Sequence, residues 1–227
     1  MERLNNKQFA QVEACESCEA YRQQLDHLTS RVSELEKMAS TDELTQLFNH
    51  RAFEQHLAHE MERTRRTGSA MSLIMLDLDH FKRVNDEYGH PVGNEVLQEW
   101  SRRIKETVRK LDIACRYGGE EFAVICPTTG MRQVKTIAER LRRVCEETPY
   151  HTEAGDLNIT CSVGADVLFA ADNDTRQDLI ARVDEQLYRA KRSGRNQVSC
   201  GRGEDRGRIN EVSADEKSAL SGLFGGE

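Results

Sequence analysis

No stretch of this chain is both apolar and long. Its purely apolar runs last only a few residues, far short of the ~20 that a helix needs to cross a bilayer, so insertion by a membrane-spanning helix is excluded. The N-terminus, MERLNNKQ, is polar and has no signal-like apolar stretch. A disulfide framework is missing too, because the seven cysteines at 15, 18, 115, 126, 145, 161 and 200 form an odd set without small-scaffold spacing. These absences predict a reduced, cytoplasmic protein. Positive surplus is also lacking. A net charge of −7 argues against a nucleic-acid polymer as partner, while leaving room for a nucleotide held by a local cluster. The 227 residues suit one α/β domain with additions, since domains usually run to roughly 100–200 residues.

Residues 1–40 contain neither proline nor glycine. Cys18, Tyr21, Leu25, Leu28, Val32, Leu35 and Ala39 alternate at spacings of three and four, which predicts a helical stalk pairing as a short coiled coil. The other reading is a single helix folded back on its own domain. Cys15 and Cys18 form a lone CESC, half a zinc site at best, with no second pair at finger spacing. Two copies could pool four thiolates, or the pair could be inert small hydrophobes.

TDELTQLFNHRAF marks a boundary near residue 41, followed by a helix to about Arg66. A strand is expected at 71–77, an irregular segment with a short helix over FKRVNDEYGHPVG, and an amphipathic helix at 95–110. Residues 112–116 and 121–126 read as strands joined by the tight YGGE turn. A helix over 131–147, a strand over 157–168, a helix over 175–193 and a final strand at NQVSC complete an α+β sheet covered by helices. Residues 201–227 read as a glycine- and charge-rich linker and a short helix, which Ser213 and Glu216 would cap. The expected domains are thus 1–40, 41–200 and 201–227.

The chemistry lies in the carboxylates. GGEE, at 118–121, puts two glutamates on a turn, where they repel unless a cation lies near. Asp77 and Asp79 stand at the end of a predicted strand. If the two segments are neighbours, Asp77, Asp79 and Glu120 make an oxygen-rich nest of the kind Mg²⁺ accepts, completed by waters and phosphates. Gly118 and Gly119 would let a ligand approach the backbone. Lys191 and Arg195 supply cations for phosphate, and phosphoryl transfer needs mainly charge neutralisation and positioning. The plainer reading is a strand end and a solvated turn.

DELTQLFNHRAF, DLDHFKRVND, YGHPVGN, YGGEEF and YRAKRSGRNQV, in this order and spacing, resemble the signature set of GGDEF-domain diguanylate cyclases over roughly residues 41–200. The resemblance implies a central antiparallel sheet flanked by helices, like the polymerase palm and the nucleotide cyclases. It also implies condensation of two GTP into cyclic di-GMP across two facing domains. By position it assigns two Mg²⁺, with Mn²⁺ as the alternative ion, to Asp77, the Leu78 carbonyl and Glu120. Glu120 would also assist deprotonation of the attacking 3′-hydroxyl, and Glu121 would support the turn and the nucleotide. Lys191 and Arg195 would hold the β- and γ-phosphates, assisted by backbone amides near Phe81 and Lys82. Asn85 and residue 94 would read guanine, with His90, Gly118 and Gly119 also in the substrate-binding set. Asp42, Asn49 and Arg51 match the structural turn that opens the domain.

One departure stands at Asn94, where the family usually has aspartate. A carboxylate accepts from both guanine donors, whereas an amide offers one acceptor and one mismatched donor. The loss of selectivity is roughly 1–2 kcal/mol, which leaves GTP preferred and a hybrid cyclase as the alternative. Arg109 and Asp112 form an RxxD whose register matches the family's inhibitory product site. Dimerisation through the stalk, with an activator protein acting on it, is expected. An inactive cyclic di-GMP effector is the competing reading, and the intact Asp77, Glu120, Lys191 and Arg195 speak against it.

Overall fold

The computed structural model describes residues 21–29, 31 and 40–201. The stalk positions Cys15, Cys18, Val32, Leu35 and Ala39 and the helix expected around Ser213 lie outside them. The chain divides into two units at Ser40–Thr41. In the first, residues 21–29 are helical, and Tyr21, Leu25 and Leu28 expose an apolar stripe. No helix among the described residues is long and apolar enough to cross a membrane.

The second unit is built on β1 (Met71–Leu78), in which all eight residues are buried. Successive side chains point to opposite faces and both faces are covered, so this strand reads as a nearly continuous apolar run. Ile74, Leu76 and Leu78 pack with α2 (Phe81–Thr107) and α3 (Met131–Glu147), whereas Met71, Leu73 and Met75 pack with α1 (His50–Thr67) and α4 (Arg176–Arg192). The remaining strands are β2 (Ile113–Arg116), β3 (Glu121–Cys126), β4 (Tyr150–Thr152), β5 (Gly155–Leu157), β6 (Cys161–Leu168) and β7 (Val198–Cys200). The main sheet has the order β2-β3-β1-β6-β7. Trp100 on α2 is wholly buried, edge-on to Phe122 of β3 at 6.5 Å.

The helices-on-sheet expectation holds, with three differences. The sheet is antiparallel except at β7, which pairs parallel to β6 because the chain returns through α4 rather than by a hairpin. The strand expected over 157–168 is two, β5 and β6. β5 pairs with β4 in a separate hairpin whose short, mostly exposed strands lack alternation. Finally, α2 begins at Phe81 and ends at Thr107, with a break at Gly89 (φ 85°) just before Pro91.

α4 lies unusually close to the sheet. A Cβ on Gly164 of β6 would collide with the Leu187 nitrogen and the Val183 carbonyl of α4. Only a residue without a side chain permits this approach, and Lys191 lies one turn beyond Leu187. Gly164→Ala is therefore expected to cost about 1–3 kcal/mol by overpacking. A lowered Tm would check it, and an unchanged Tm would contradict the close contact.

Candidate active site

Strand parity puts Asp77 on the sheet face covered by α1 and α4, and antiparallel register sets it opposite Glu121. Leu78 N–H donates to the Glu120 carbonyl at 3.3 Å, fastening the end of β1 to the β2–β3 turn. Lys191 reaches down from the last turn of α4, its Nζ 2.7 Å from Asp77 Oδ2. Asp77, Glu120, Glu121 and Lys191 thus meet at one end of the sheet.

The charge there is unbalanced. Burial raises the Asp77 carboxyl above the usual range, and the Lys191 ammonium offsets this only in part. Burial, then repulsion from Asp77, raises Glu120 as well. A buried and a half-buried carboxyl that resist ionising together, with one ammonium beside them, leave the seat short of positive charge. Among the described residues no group of three His, Cys, Asp or Glu side chains converges as a closed cage.

Asp79 does not join this nest. It is buried, with Oδ1 accepting from Ser162 Oγ at 2.7 Å and Oδ2 from Thr160 Oγ1 at 2.7 Å and the Asn196 amide at 3.0 Å. It fastens the start of β6 and the loop after α4. In that loop Arg195 and Asn196 are both left-handed (φ 63° and 45°), a strain of order 1–3 kcal/mol each. Asn196 is held to α3 through Arg142 and Glu146, while Arg195 is exposed on the surface.

Asn85 and Asn94 lie on either side of the α2 break, and the Asn85 side chain lies over Gly93, beside Asn94. His90 and Lys82 are exposed. Phe81 is a core side chain, so only its backbone is available to a ligand. Gly118 makes room for the Glu121 carboxylate, which comes within 2.6 Å of where its Cβ would be, and Gly119 is open.

Sequence reasoning missed Arg116, although it directly precedes YGGEE. Its guanidinium donates to the Gly118 and Gly119 carbonyls at 2.9–3.2 Å and to both Asp42 oxygens at 3.1 and 3.2 Å. One side chain therefore ties the glutamate turn to the turn that opens the domain. Tyr117 adds an aromatic clamp, its ring 4.8 Å from His50 and 5.0 Å from Phe53. Arg109 and Asp112 lie at the other end of β2, a four-residue strand of ~13 Å. There the Arg109 amide donates to Asp112 Oδ2 at 2.8 Å, beside a groove of about 250 Å³ lined by Leu47, Phe48, Lys105 and Val108.

The family described as "Diguanylate cyclase, GGDEF domain" matches residues 39–197. The chain is 40% identical over 175 residues to response regulator PleD of Caulobacter vibrioides, covering 76% of this chain and 38% of PleD. It thus spans well under half of that relative. The solved coiled coil and GGDEF domain of DgcB from Caulobacter crescentus, in complex with c-di-GMP, superposes with a TM-score of 0.75 at 28% identity, covering 83% of this chain and 100% of that one. Diguanylate cyclase SiaD of Pseudomonas aeruginosa, solved with its activator SiaC, gives 0.70 at 32% identity, covering 86% and 80%.

Arg116→Ala should cost about 1–3 kcal/mol by leaving carbonyls and Asp42 without their partner, and should speed amide exchange across residues 117–121. In a double-mutant cycle with Asp42→Ala, a coupling near zero would show that the two do not act as a unit.

Proposed function

The chain belongs to the GGDEF-domain diguanylate cyclase family, and on that footing we propose that it condenses two GTP into cyclic di-GMP with release of two pyrophosphates. The observation that carries this reading is the meeting of Asp77, Glu120 and Lys191 where β1 joins the β2–β3 turn. Asp77, the Leu78 carbonyl and Glu120 are the groups that would hold the divalent ions, two Mg²⁺ per site or Mn²⁺ in their place. When bound, these ions offset triphosphate charge and lower the pKa of the attacking hydroxyl. Lys191 and Arg195 hold the β- and γ-phosphates, with the Phe81 and Lys82 amides. Glu120 takes part in removing the 3′-hydroxyl proton, and Glu121 braces the turn. Asn85 and Asn94 read the base, with His90, Gly118 and Gly119 around the nucleotide.

Each domain holds one nucleotide, so two must face each other, the 3′-oxygen of one in line with the α-phosphate of the other. The exposed stripe of Tyr21, Leu25 and Leu28 supports homodimerisation through the stalk, which raises the effective concentration of the second half-site. The solved coiled coil of DgcB supports a paired stalk, and the complex of SiaD with its activator SiaC supports regulation by a separate protein; on this reading an activator protein acts on the stalk of a cytoplasmic enzyme. Arg109 and Asp112, beside their groove, bind cyclic di-GMP, which holds the domains in a non-productive arrangement.

With GTP and Mg²⁺ the protein should form cyclic di-GMP, and Glu120→Ala should lower the rate by roughly a hundredfold or more; equal rates would end this reading. Asn94 favours relaxed base choice as a second property. In equimolar ATP and GTP, Asn94→Asp should raise the guanine preference by about 5- to 30-fold, resolved by mass spectrometry of the cyclic products. Arg109→Ala should weaken product inhibition, and inhibition like that of the unmodified protein would remove the regulatory site.

A further inference from the structure

The contact between Lys191 and Asp77 has two claimants. The Asp77 oxygen that receives the ammonium at 2.7 Å belongs to the carboxylate that would ligate a divalent ion, and Lys191 itself would grip phosphate. Each role is weakened while the two side chains hold each other, because the ammonium repels a cation approaching the same carboxylate and the carboxylate holds the ammonium back from phosphate. We propose that Lys191 stands in for a cation on Asp77 until a triphosphate draws it away. The site then accepts metal together with nucleotide and disfavours the free ion. This rests on the reading of Asp77 as a metal ligand given above.

The geometry suits such an exchange. The Asp77 side chain is 11% exposed and Lys191 is 31% exposed, so the carboxylate is shielded while the ammonium sits at the open side. Glu121 lies opposite Asp77 in the ladder, and Glu120 stands just before it in the turn that leads into β3. Among the described residues, Lys191 is the cation paired with Asp77. The helix bearing Lys191 cannot retreat as a body. Its last turns are pressed onto Gly164, and the Arg195 amide and Gln197 Nε2 both donate to the Ala190 carbonyl at 3.1 and 2.9 Å. The movement left is rotation of a four-carbon stem, which lysine makes readily. A free divalent ion must displace this ammonium and leave it unpaired. An ion arriving with a triphosphate brings the ammonium a new partner. Competition for one carboxylate thus becomes dependence of metal affinity on nucleotide, through differential binding to two side-chain states.

The test is Mn²⁺ titration of the nucleotide-free full chain, followed by the electron paramagnetic resonance signal of unbound Mn²⁺. Lys191→Met should bind Mn²⁺ about tenfold more tightly than the unmodified protein, equivalent to about 1.4 kcal/mol. Lys191→Gln, which keeps a hydrogen-bonding head without charge, should do likewise and serves if the methionine variant folds poorly. Adding Asp77→Asn to either should abolish the gain. Equal or weaker Mn²⁺ binding by both lysine variants overturns the proposal. In that outcome Asp77→Asn alone separates the two readings: if it abolishes binding of Mn²⁺ with GTP, the metal site stands and only the exchange fails, whereas no effect overturns the ligand assignment as well.

Discussion

Asp77 and Glu121 face each other across the β1–β3 ladder, and Glu120 immediately precedes β3 in the turn, so backbone hydrogen bonds bring together carboxyl groups that repel one another. The repulsion is tolerable because β1 beneath is completely buried, with helices packed on both of its faces. The rest of the architecture bears on this confined negative charge. α4 approaches over Gly164 and brings Lys191 to it, Arg116 grips the turn from behind, and Asp79 anchors the loop that carries Arg195. The site is a stable imbalance that a cation and a polyanion can jointly relieve.

Much of this was legible because the physics behind it is local. The alternation of β1 and the spacing of α3 and α4 report on burial within the element itself, and all three appear within about two residues of expectation. The YGGE turn carries its own turn residues. What escaped depends on distant partners. The β4–β5 hairpin contributes little apolar surface and so leaves no periodicity. β7 is parallel because of where α4 returns the chain, which no property of NQVSC encodes.

The site divides along the same line. Asp77 and Glu120 were identifiable as strand-end and turn carboxylates. Asp79, two residues from Asp77, is chemically identical in the sequence, yet hydroxyls from β6 and its approach make it an anchor. Arg116 adjoins the most conspicuous motif, but its role depends on Asp42, 74 residues earlier in the chain. The Arg116–Asp42 pair also links the glutamate turn to the turn that opens the domain.

The burial of Trp100 has a practical consequence. It is the one tryptophan in the chain, and its ring meets the edge of Phe122, the residue that follows Glu121. The indole is sealed from solvent yet only one side chain removed from the glutamate turn. Its emission is thus a native optical gauge of how that hairpin settles, read without attaching a dye.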